Sequence, residues 1–137
     1  MKTKRQIIFE RAEIYAKKNL QLINVEMGDY EGSQKCHHVA RHRLETGECS
    51  KLAVVLSFVP KSGVNLHMIN WGDDRYIDHT LGYLSRRNFY YLIKEYGLED
   101  LRDTLMIKLL KKFKKEMMDK FFTLKEQRDL EIALSFL

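Results

Sequence analysis

The fold of this chain is decided by the stretch Leu52-Ala53-Val54-Val55-Leu56-Ser57-Phe58-Val59. The stretch is short, almost continuously apolar and rich in β-branched residues, which favours a strand that is buried on both faces. The segment that follows it, Pro60-Lys61-Ser62-Gly63, has the composition of a turn. We therefore expect a strand in the interior of the fold, ending at this turn.

The next two apolar segments predict a hairpin. Residues 64–71 and 75–80 both have strand-like composition, and Gly72-Asp73-Asp74 separates them. Residues 89–93, Phe-Tyr-Tyr-Leu-Ile, favour a fourth strand, although a helix that continues into Lys94-Glu95 is the alternative. The sequence thus predicts three or four antiparallel strands in its middle third.

Helical patterns flank these strands. Residues 24–34 have the composition of a loop, which leads towards the second of the predicted helices. Those helices are residues 4–19 with Thr3 as cap, a helix from near Lys35 to Gly47, a helix after Gly97 that continues to Phe121, and a last helix that Thr123 opens and that extends through Leu134. We therefore expect an α+β fold in which an antiparallel sheet of three to four strands packs against the helix near Lys35. The chain is expected to form a single domain over 1–137, with its core at 35–95 and a C-terminal helical segment at 98–137.

The composition is that of a folded protein, with 45% hydrophobic and 31% charged residues. Charged residues interrupt the amino terminus too early for a signal peptide, and no later apolar run approaches the length of a membrane span. We therefore expect a cytoplasmic protein that contacts no membrane and needs no cofactor. In that compartment the thiols of Cys36 and Cys49 stay reduced.

Cys36 is the strongest candidate for a nucleophile. It lies at the start of the predicted second helix, where the positive end of the helix dipole favours a thiolate over a thiol. The amide N–H groups of Cys36 and His37 have no acceptor within the helix, so they are candidate donors to an oxyanion. A small buried cysteine without a chemical role is the alternative interpretation.

A base and an orienting acid follow on the predicted hairpin. His67 lies on the first strand and is a better base for Cys36 than the two histidines next to it, which are expected to point elsewhere around the helix. Asp78 on the second strand could accept the other imidazole N–H and fix the tautomer of His67. Under a different strand register the orienting group would be Asn70 or Asp74.

A helix-start cysteine followed by a hairpin that carries histidine and then aspartate resembles the papain-like and transglutaminase-like superfamily of thiol enzymes. The resemblance covers Cys36 to Gly82 and extends to small bacterial and phage proteins of this type. It is carried by the segments Cys36-His37-His38-Val39-Ala40, Asn65-Leu66-His67-Met68-Ile69-Asn70 and Tyr76-Ile77-Asp78-His79-Thr80-Leu81-Gly82.

The resemblance implies an activity and a set of roles. Cys36 would be the nucleophile, His67 the base and Asp78 the orienting acid of a cysteine-dependent acyl-transfer enzyme: a peptidase, an amidase or a transglutaminase-like enzyme. Its substrate would be a protein or a small acyl compound. Gln34 is the candidate for the upstream glutamine that helps to hold the oxyanion, and His37 stands where an aromatic residue usually follows the nucleophile.

Zinc binding is an alternative for the same region. His38 and His42 are four residues apart, which puts them on one helix face, and Cys49 could supply a thiolate. Further thiolate or imidazole ligands could come from Cys36, His67 and His79. Histidine pairs at helical spacing often occur without a metal, and the spacing of these residues matches no paired-ligand pattern.

The net charge suggests a further alternative. Residues 101–125 carry eight basic and three acidic side chains, which accounts for the whole net charge of +5. Such a basic helix could bind nucleic acid or an acidic protein, or it could be a solvated helix face. The candidate binding residues are Lys108, Lys111, Lys112, Lys114 and Lys115.

Overall fold

The computed structural model of the chain describes residues 1–28, 36–60, 63–81, 87–130 and 134–136. Within these ranges it contains a 3-10 helix at Glu99–Leu101 and four α-helices. The α-helices are α1 (Lys4–Asn19), α2 (Cys36–Glu45), α3 (Met106–Phe121) and α4 (Leu124–Leu130). None of these helices is long and apolar enough to cross a lipid bilayer.

The described residues also contain seven strands, which form one mixed sheet. Six strands follow the order β1-β6-β3-β4-β5-β2, and β7 pairs with β4 outside this order. The strands β2 and β7 run parallel to β5 and β4, while the other pairings are antiparallel. Their bounds are β1 (Gln21–Ile23), β2 (Val25–Met27), β3 (Lys51–Val59), β4 (Gly63–Gly72), β5 (Arg75–Asp78), β6 (Phe89–Tyr96) and β7 (Ser135–Phe136).

The two ends of this sheet meet. Only Asn24 separates β1 from β2 in the chain, yet β1 pairs with β6 at one end of the strand order and β2 pairs with β5 at the other end. The sheet must therefore curl until its ends come together at residues 21–27. The architecture is α+β.

The curled sheet has two differently covered faces. The larger apolar cluster lies on the face that packs against α1, α2 and α3, and it includes Leu52, Val54, Leu66 and Met68. The smaller cluster lies on the opposite face and consists of Ile23, Ala53, Val55, Ile69 and Tyr90. His67 pairs with Val55 between β4 and β3, so it shares the face of the smaller cluster.

The turn between β4 and β5 follows directly from its sequence. Gly72 pairs with Arg75, which leaves Asp73 and Asp74 as a two-residue loop. Both aspartates have positive φ, 53° and 61°, as the primed hairpin turns that match the twist of the strands require. The predicted hairpin is confirmed, and its register brings β5 beside the second half of β4.

Several predicted elements are confirmed, and the predicted size of the sheet is wrong. Helix α1 begins after Thr3, whose hydroxyl accepts the N–H of Gln6, and residues 89–96 form a strand rather than a helix. The sheet is mixed and larger than the antiparallel sheet of three to four strands that the sequence predicts. The additional strands β1, β2 and β7 are two or three residues long, which is too short for a periodic signal. Strand β2 occupies part of the loop predicted at 24–34.

The helical segment after Gly97 differs from the prediction at its start. The 3-10 helix follows Gly97, and α3 begins only at Met106 because Leu105 has extended backbone dihedrals. The predicted capping box of α4 is present, since Thr123 and Glu126 each bond the other's backbone N–H. Within the described residues α4 covers Leu124–Leu130, and Leu134, where the sequence predicts helix, is a buried non-helical residue before β7.

Candidate active site

Helix α2 begins at Cys36 and is anchored on β4. The anchor is Asn70, whose Nδ2 donates hydrogen bonds to the backbone oxygens of Ala40 at 3.0 Å and Lys51 at 3.4 Å. Asn70 is buried and lies on the helix-facing side of β4. A buried amide that bonds two carbonyls fixes the position of the helix on the strand, and with it the position of Cys36.

The thiol of Cys36 lies at an edge of β4. On the side away from β3, β4 pairs with β7 at Leu66 and with β5 from Asn70 onward. Met68 lies between these two pairings, and its backbone N–H donates a hydrogen bond to the sulfur of Cys36. The sulfur thus occupies a position between two strand pairings, from which it interacts with the side chain of His67 on the other face.

His67 is bonded to Asp78. Nε2 of the imidazole lies 2.9 Å from Oδ2 of the carboxylate, and both side chains are fully buried. The other carboxylate oxygen, Oδ1, accepts the backbone N–H groups of Thr80 and Leu81 at 3.0 Å each. The hydroxyl of Tyr90 donates to Oδ2 at 2.6 Å. Four hydrogen bonds therefore hold the carboxylate in one orientation against the imidazole.

Asp78 and His67 each stabilise the charged form of the other. Burial favours a neutral Asp78, but the positive charge of His67 and the hydrogen bonds from His67 and Tyr90 outweigh it, so the pKa of Asp78 is lowered. Burial likewise favours a neutral His67, but the charge of Asp78 and the bond to it raise the pKa of His67 to about 10. At neutral pH the pair is a carboxylate and an imidazolium.

The pKa of Cys36 is shifted in the direction opposite to that of His67. Burial disfavours the thiolate, but hydrogen bonds from His37 and His67, the charge of His67 and the amide of Met68 together lower the pKa of Cys36 to about 6. Nδ1 of His67 makes no hydrogen bond of ordinary geometry to any described residue. The contact between this nitrogen and the thiol is therefore longer or less well aligned than the bond between Nε2 and Asp78. Near neutral pH the sulfur is a thiolate beside an imidazolium.

The second cysteine lacks these neighbours. Burial and the negative charge of Glu48 raise the pKa of Cys49 above its ordinary value. The pKa values of the two thiols are thus shifted in opposite directions, and the thiolate forms more readily at Cys36 than at Cys49.

The structure brings Cys36, His67 and Asp78 together. The two alternatives for the orienting acid do not lie beside His67 in this way. Asn70 anchors α2, and Asp74 is exposed in the β4–β5 turn. The predicted oxyanion residue Gln34 lies outside the described residues.

The other predicted oxyanion residue, His37, has its amide in the first turn of α2, where helix geometry provides no acceptor. Its ring bonds the thiol of Cys36, so the expectation that it points away from the sulfur is wrong. Side chains in a helix tilt towards its N-terminus, which carries the ring of His37 back over the start of α2.

Tyr90 is the part of this cluster that the sequence did not reveal. The sequence offers Phe89, Tyr90 and Tyr91 as adjacent aromatic residues without distinguishing their roles. In the sheet, Tyr91 joins the helix-facing cluster, whereas the ring of Tyr90 lies 6.4 Å from that of His67. The alternation of side chains along β6 separates these residues, but only the strand register shows which one meets Asp78.

The structure groups the predicted zinc ligands differently. His38 and His42 lie on the exposed face of α2, while Cys49 is buried beyond the end of that helix. Among the described residues, a compact group of three metal-ligand side chains occurs once, and it joins Cys49 to Glu48 and His79 instead. The predicted set of His38, His42 and Cys49 is therefore not assembled.

The basic residues of α3 lie mainly on its solvent-exposed face. Most of its apolar side chains, among them Leu110 and Phe113, are buried against the sheet and the other helices, while Ile107 is exposed. The side chains of Lys108, Lys111, Lys112 and Lys115 are exposed, and that of Lys114 is half-buried. This distribution is the one expected for an amphipathic surface helix.

Comparison with known proteins gives no relative of this chain. No protein-family model, no curated protein and no solved structure matches it.

Proposed function

We propose that this chain is a cysteine-dependent acyl-transfer enzyme with a papain-like or transglutaminase-like core. The observation that carries the proposal is the buried His67–Asp78 pair beside Cys36. Burial disfavours the thiolate, but hydrogen bonds from His37 and His67 and the charge of His67 outweigh it and lower the pKa of Cys36 to about 6. A thiolate that forms below neutral pH at a helix start is the nucleophile that acyl transfer requires. The order of helix-start cysteine, strand histidine and strand aspartate also agrees with this class of fold.

The first half of the reaction forms a thioester. The thiolate of Cys36 attacks the carbonyl carbon, and the carbonyl π electrons move to oxygen to give a tetrahedral oxyanion. The amide N–H groups of Cys36 and His37 in the first turn of α2 donate to that oxyanion. When the intermediate collapses, His67 transfers its proton to the leaving amine or alkoxide, and the acyl group stays on sulfur.

The second half releases the acyl group. Water or an amine attacks the thioester carbonyl while His67, now neutral, accepts its proton. Collapse of this second intermediate expels the thiolate of Cys36 and restores the ion pair with His67. The choice between water and amine decides whether the enzyme hydrolyses or transfers the acyl group.

The neighbours of His67 act through it. Asp78 holds the imidazole with Nε2 towards the carboxylate, which leaves Nδ1 for the thiol. Tyr90 and the amides after Asp78 hold the carboxylate in turn. These residues are positioning residues, because they orient the base without reaching the acyl group.

The burial of the site limits how substrate reaches it. The side chains of Cys36, His67 and Asp78 have no exposed surface, and that of His37 is 7% exposed. An acyl donor can therefore reach the sulfur only after covering groups have moved. We expect small activated acyl donors to react faster than bulky ones of equal intrinsic reactivity.

The proposal is tested by trapping the acyl-enzyme. The purified chain is incubated with p-nitrophenyl acetate at pH 7, and the acetylated residue is identified by mass spectrometry of its peptides. We expect acetylation of Cys36 that Cys36→Ala abolishes, that Cys49→Ala leaves unchanged and that His67→Gln slows. Acetylation that is equal on both cysteines and insensitive to His67→Gln would rule the proposal out.

Nucleic-acid binding is the competing proposal, and the exposure of four lysines on one helix favours it. A variant in which Lys108, Lys111, Lys112 and Lys115 are changed to Gln should then lose salt-dependent retention on DNA or RNA. The matched control changes four exposed lysines of the N-terminal region, Lys2, Lys4, Lys17 and Lys18. Equal retention of the two variants would show that net charge, rather than this helix face, determines binding.

A further inference from the structure

A second cluster of reactive side chains lies outside the candidate active site. It consists of Glu48, Cys49 and His79, each of which offers one ligand atom, and these atoms all lie within 4.8 Å of one another. Glu48 and Cys49 belong to the connection from α2 to β3, and His79 follows β5 directly. The cluster thus joins two connections that are distant in sequence.

Backbone contacts hold the members of this cluster in place. Cys49 is 4% exposed, its N–H donates to the backbone oxygen of Arg43, and the next residue is bonded to the backbone oxygen of Trp71. The ring of His79 lies against Gly28 so closely that a Cβ there would be 2.5 Å from Nδ1. The backbone at Cys49 and the ring of His79 are therefore held in place by the fold, while the thiol can still rotate about its Cα–Cβ bond.

We propose that Glu48, Cys49 and His79 form a binding site for a borderline-soft divalent cation of the zinc type. A thiolate, an imidazole and a carboxylate are the three ligand types that zinc takes in proteins. Around a tetrahedral zinc ion, such ligand atoms lie about 3.3 to 3.8 Å apart. Small rotations of the exposed Glu48 and of the Cys49 thiol would close the remaining gap. The fourth position would be filled by water, since three protein ligands leave one open.

The surroundings of the cluster suit a cation that needs a fixed carboxylate. The guanidinium of Arg43 forms an ion pair with Oε2 of Glu48, which orients the carboxylate as outer partners of metal ligands do. Asp73 is close enough to act electrostatically on the Cys49 thiol. The guanidinium of Arg75 also acts on this thiol, with the opposite sign, so the effects of Asp73 and Arg75 partly cancel.

The position of the site gives it a structural consequence. His79 is the residue after Asp78, and Cys49 follows the helix that begins with Cys36. A bound cation would therefore tie the end of β5 to the connection after α2. The site does not include Cys36 or His67, so it is independent of the proposed acyl transfer.

The experiment titrates the metal-stripped full chain with Co²⁺ and then with Zn²⁺ as competitor. We expect a thiolate-to-cobalt charge-transfer band with one equivalent bound, and displacement of the cobalt by zinc. Cys49→Ser should abolish the band, and both Cys49→Ser and His79→Ala should weaken binding by about 100-fold or more. The matched controls Cys36→Ser and His42→Ala should keep the band and the affinity.

Two outcomes would overturn the proposal. One is a wild-type chain that gives no thiolate band and binds no cobalt. The other is a band that Cys36→Ser removes and Cys49→Ser leaves, which would place the metal at the candidate nucleophile. If Cys49→Ser or His79→Ala fails to fold, the alkylation rate of Cys49 in the wild-type chain is measured with and without added Zn²⁺. Slower alkylation with Zn²⁺ supports the site, and an unchanged rate contradicts it.

Discussion

Nε2 of His67 lies 2.9 Å from Oδ2 of Asp78 in a part of the protein where neither side chain has exposed surface. Transferring two charges into the interior costs free energy that the pair recovers only through its own attraction and further hydrogen bonds. Asp78 has those further bonds, from Tyr90 and from two backbone amides. Removing His67 would leave the buried carboxylate without the positive charge beside it, and removing Asp78 would leave the imidazole without its carboxylate partner.

Asp78→Asn tests the role of the charge with little change of shape. The amide cannot stabilise an imidazolium as the carboxylate does, so the pKa of His67 should fall and that of Cys36 should rise. We expect acylation of Cys36 to slow by on the order of 10³-fold, and the free energy of unfolding to fall by about 3 kcal/mol. Stopped-flow acylation and urea unfolding measure these effects. Acylation at the wild-type rate would show that Asp78 does not act through His67.

Tyr90→Phe removes one hydroxyl and keeps the ring. Because this hydroxyl donates to a buried carboxylate, we expect the free energy of unfolding to fall by about 1.5 to 3 kcal/mol. The matched control is Tyr91→Phe on the opposite face, where the ring packs against Phe58, and it should cost less than about 0.5 kcal/mol. Equal effects of the two changes in urea unfolding would mean that the bond to Asp78 contributes nothing specific.

The ion pair also predicts how stability depends on pH. His67 has a pKa of about 10 in the fold against an ordinary 6.5, so its stabilisation is complete below pH 6.5 and is lost as the pH rises to 10. Cys36 has a pKa of about 6 against an ordinary 9.0, so its stabilisation is complete above pH 9 and is lost as the pH falls to 6. Between pH 6.5 and 9 the folded and unfolded states therefore bind equal numbers of protons at these two groups.

Cys36→Ala breaks this balance. The variant retains the raised pKa of His67 that Asp78 causes, but it lacks the opposing thiol. Its free energy of unfolding should therefore fall relative to the wild-type value as the pH rises from 6.5 to 9. Urea unfolding at several pH values measures the difference. A difference that does not change over this range would contradict the charged state of the pair.

Gly28→Ala tests the close approach of backbone to the segment after Asp78. A Cβ at Gly28 would lie 2.5 Å from Nδ1 of His79 and 2.8 Å from Cγ2 of Ile77. We expect a loss of about 1 to 3 kcal/mol in the free energy of unfolding. Gly97→Ala is the control, because among the described residues a Cβ there meets only Asp100, at 3.6 Å, and should change stability by less than about 1 kcal/mol. Similar effects of the two changes would show that the space beside His79 adapts.

The strands that hold the site could be predicted from sequence because their signals are local. Strand β3 is a long apolar run, and the paired aspartates of the β4–β5 turn favour the positive φ values that both adopt. The short strands β1, β2 and β7 could not be predicted, because two or three residues carry no periodicity. Their partners are distant in the chain, and so the curling of the sheet was not visible either.

Part of the candidate site could likewise be predicted from the sequence, and part could not. Cys36, His67 and Asp78 could be proposed because their residue types, in this order on a helix start and a hairpin, suggest one chemistry. The bond from Tyr90 to Asp78 and the contact of His37 with the thiol depend on register and on side-chain direction. The grouping of Cys49 with His79 likewise depends on which connections the curled sheet brings together. No local pattern encodes those contacts.

The ionisation of Cys36 can be measured without a substrate. In the variant Cys49→Ser, Cys36 is the remaining cysteine, and its thiolate is followed by far-ultraviolet absorbance as the pH is raised. We predict a midpoint of about 6, which moves upward when His67→Ala is added. A midpoint at or above the ordinary 9.0 that His67→Ala does not change would contradict the proposed thiolate–imidazolium pair.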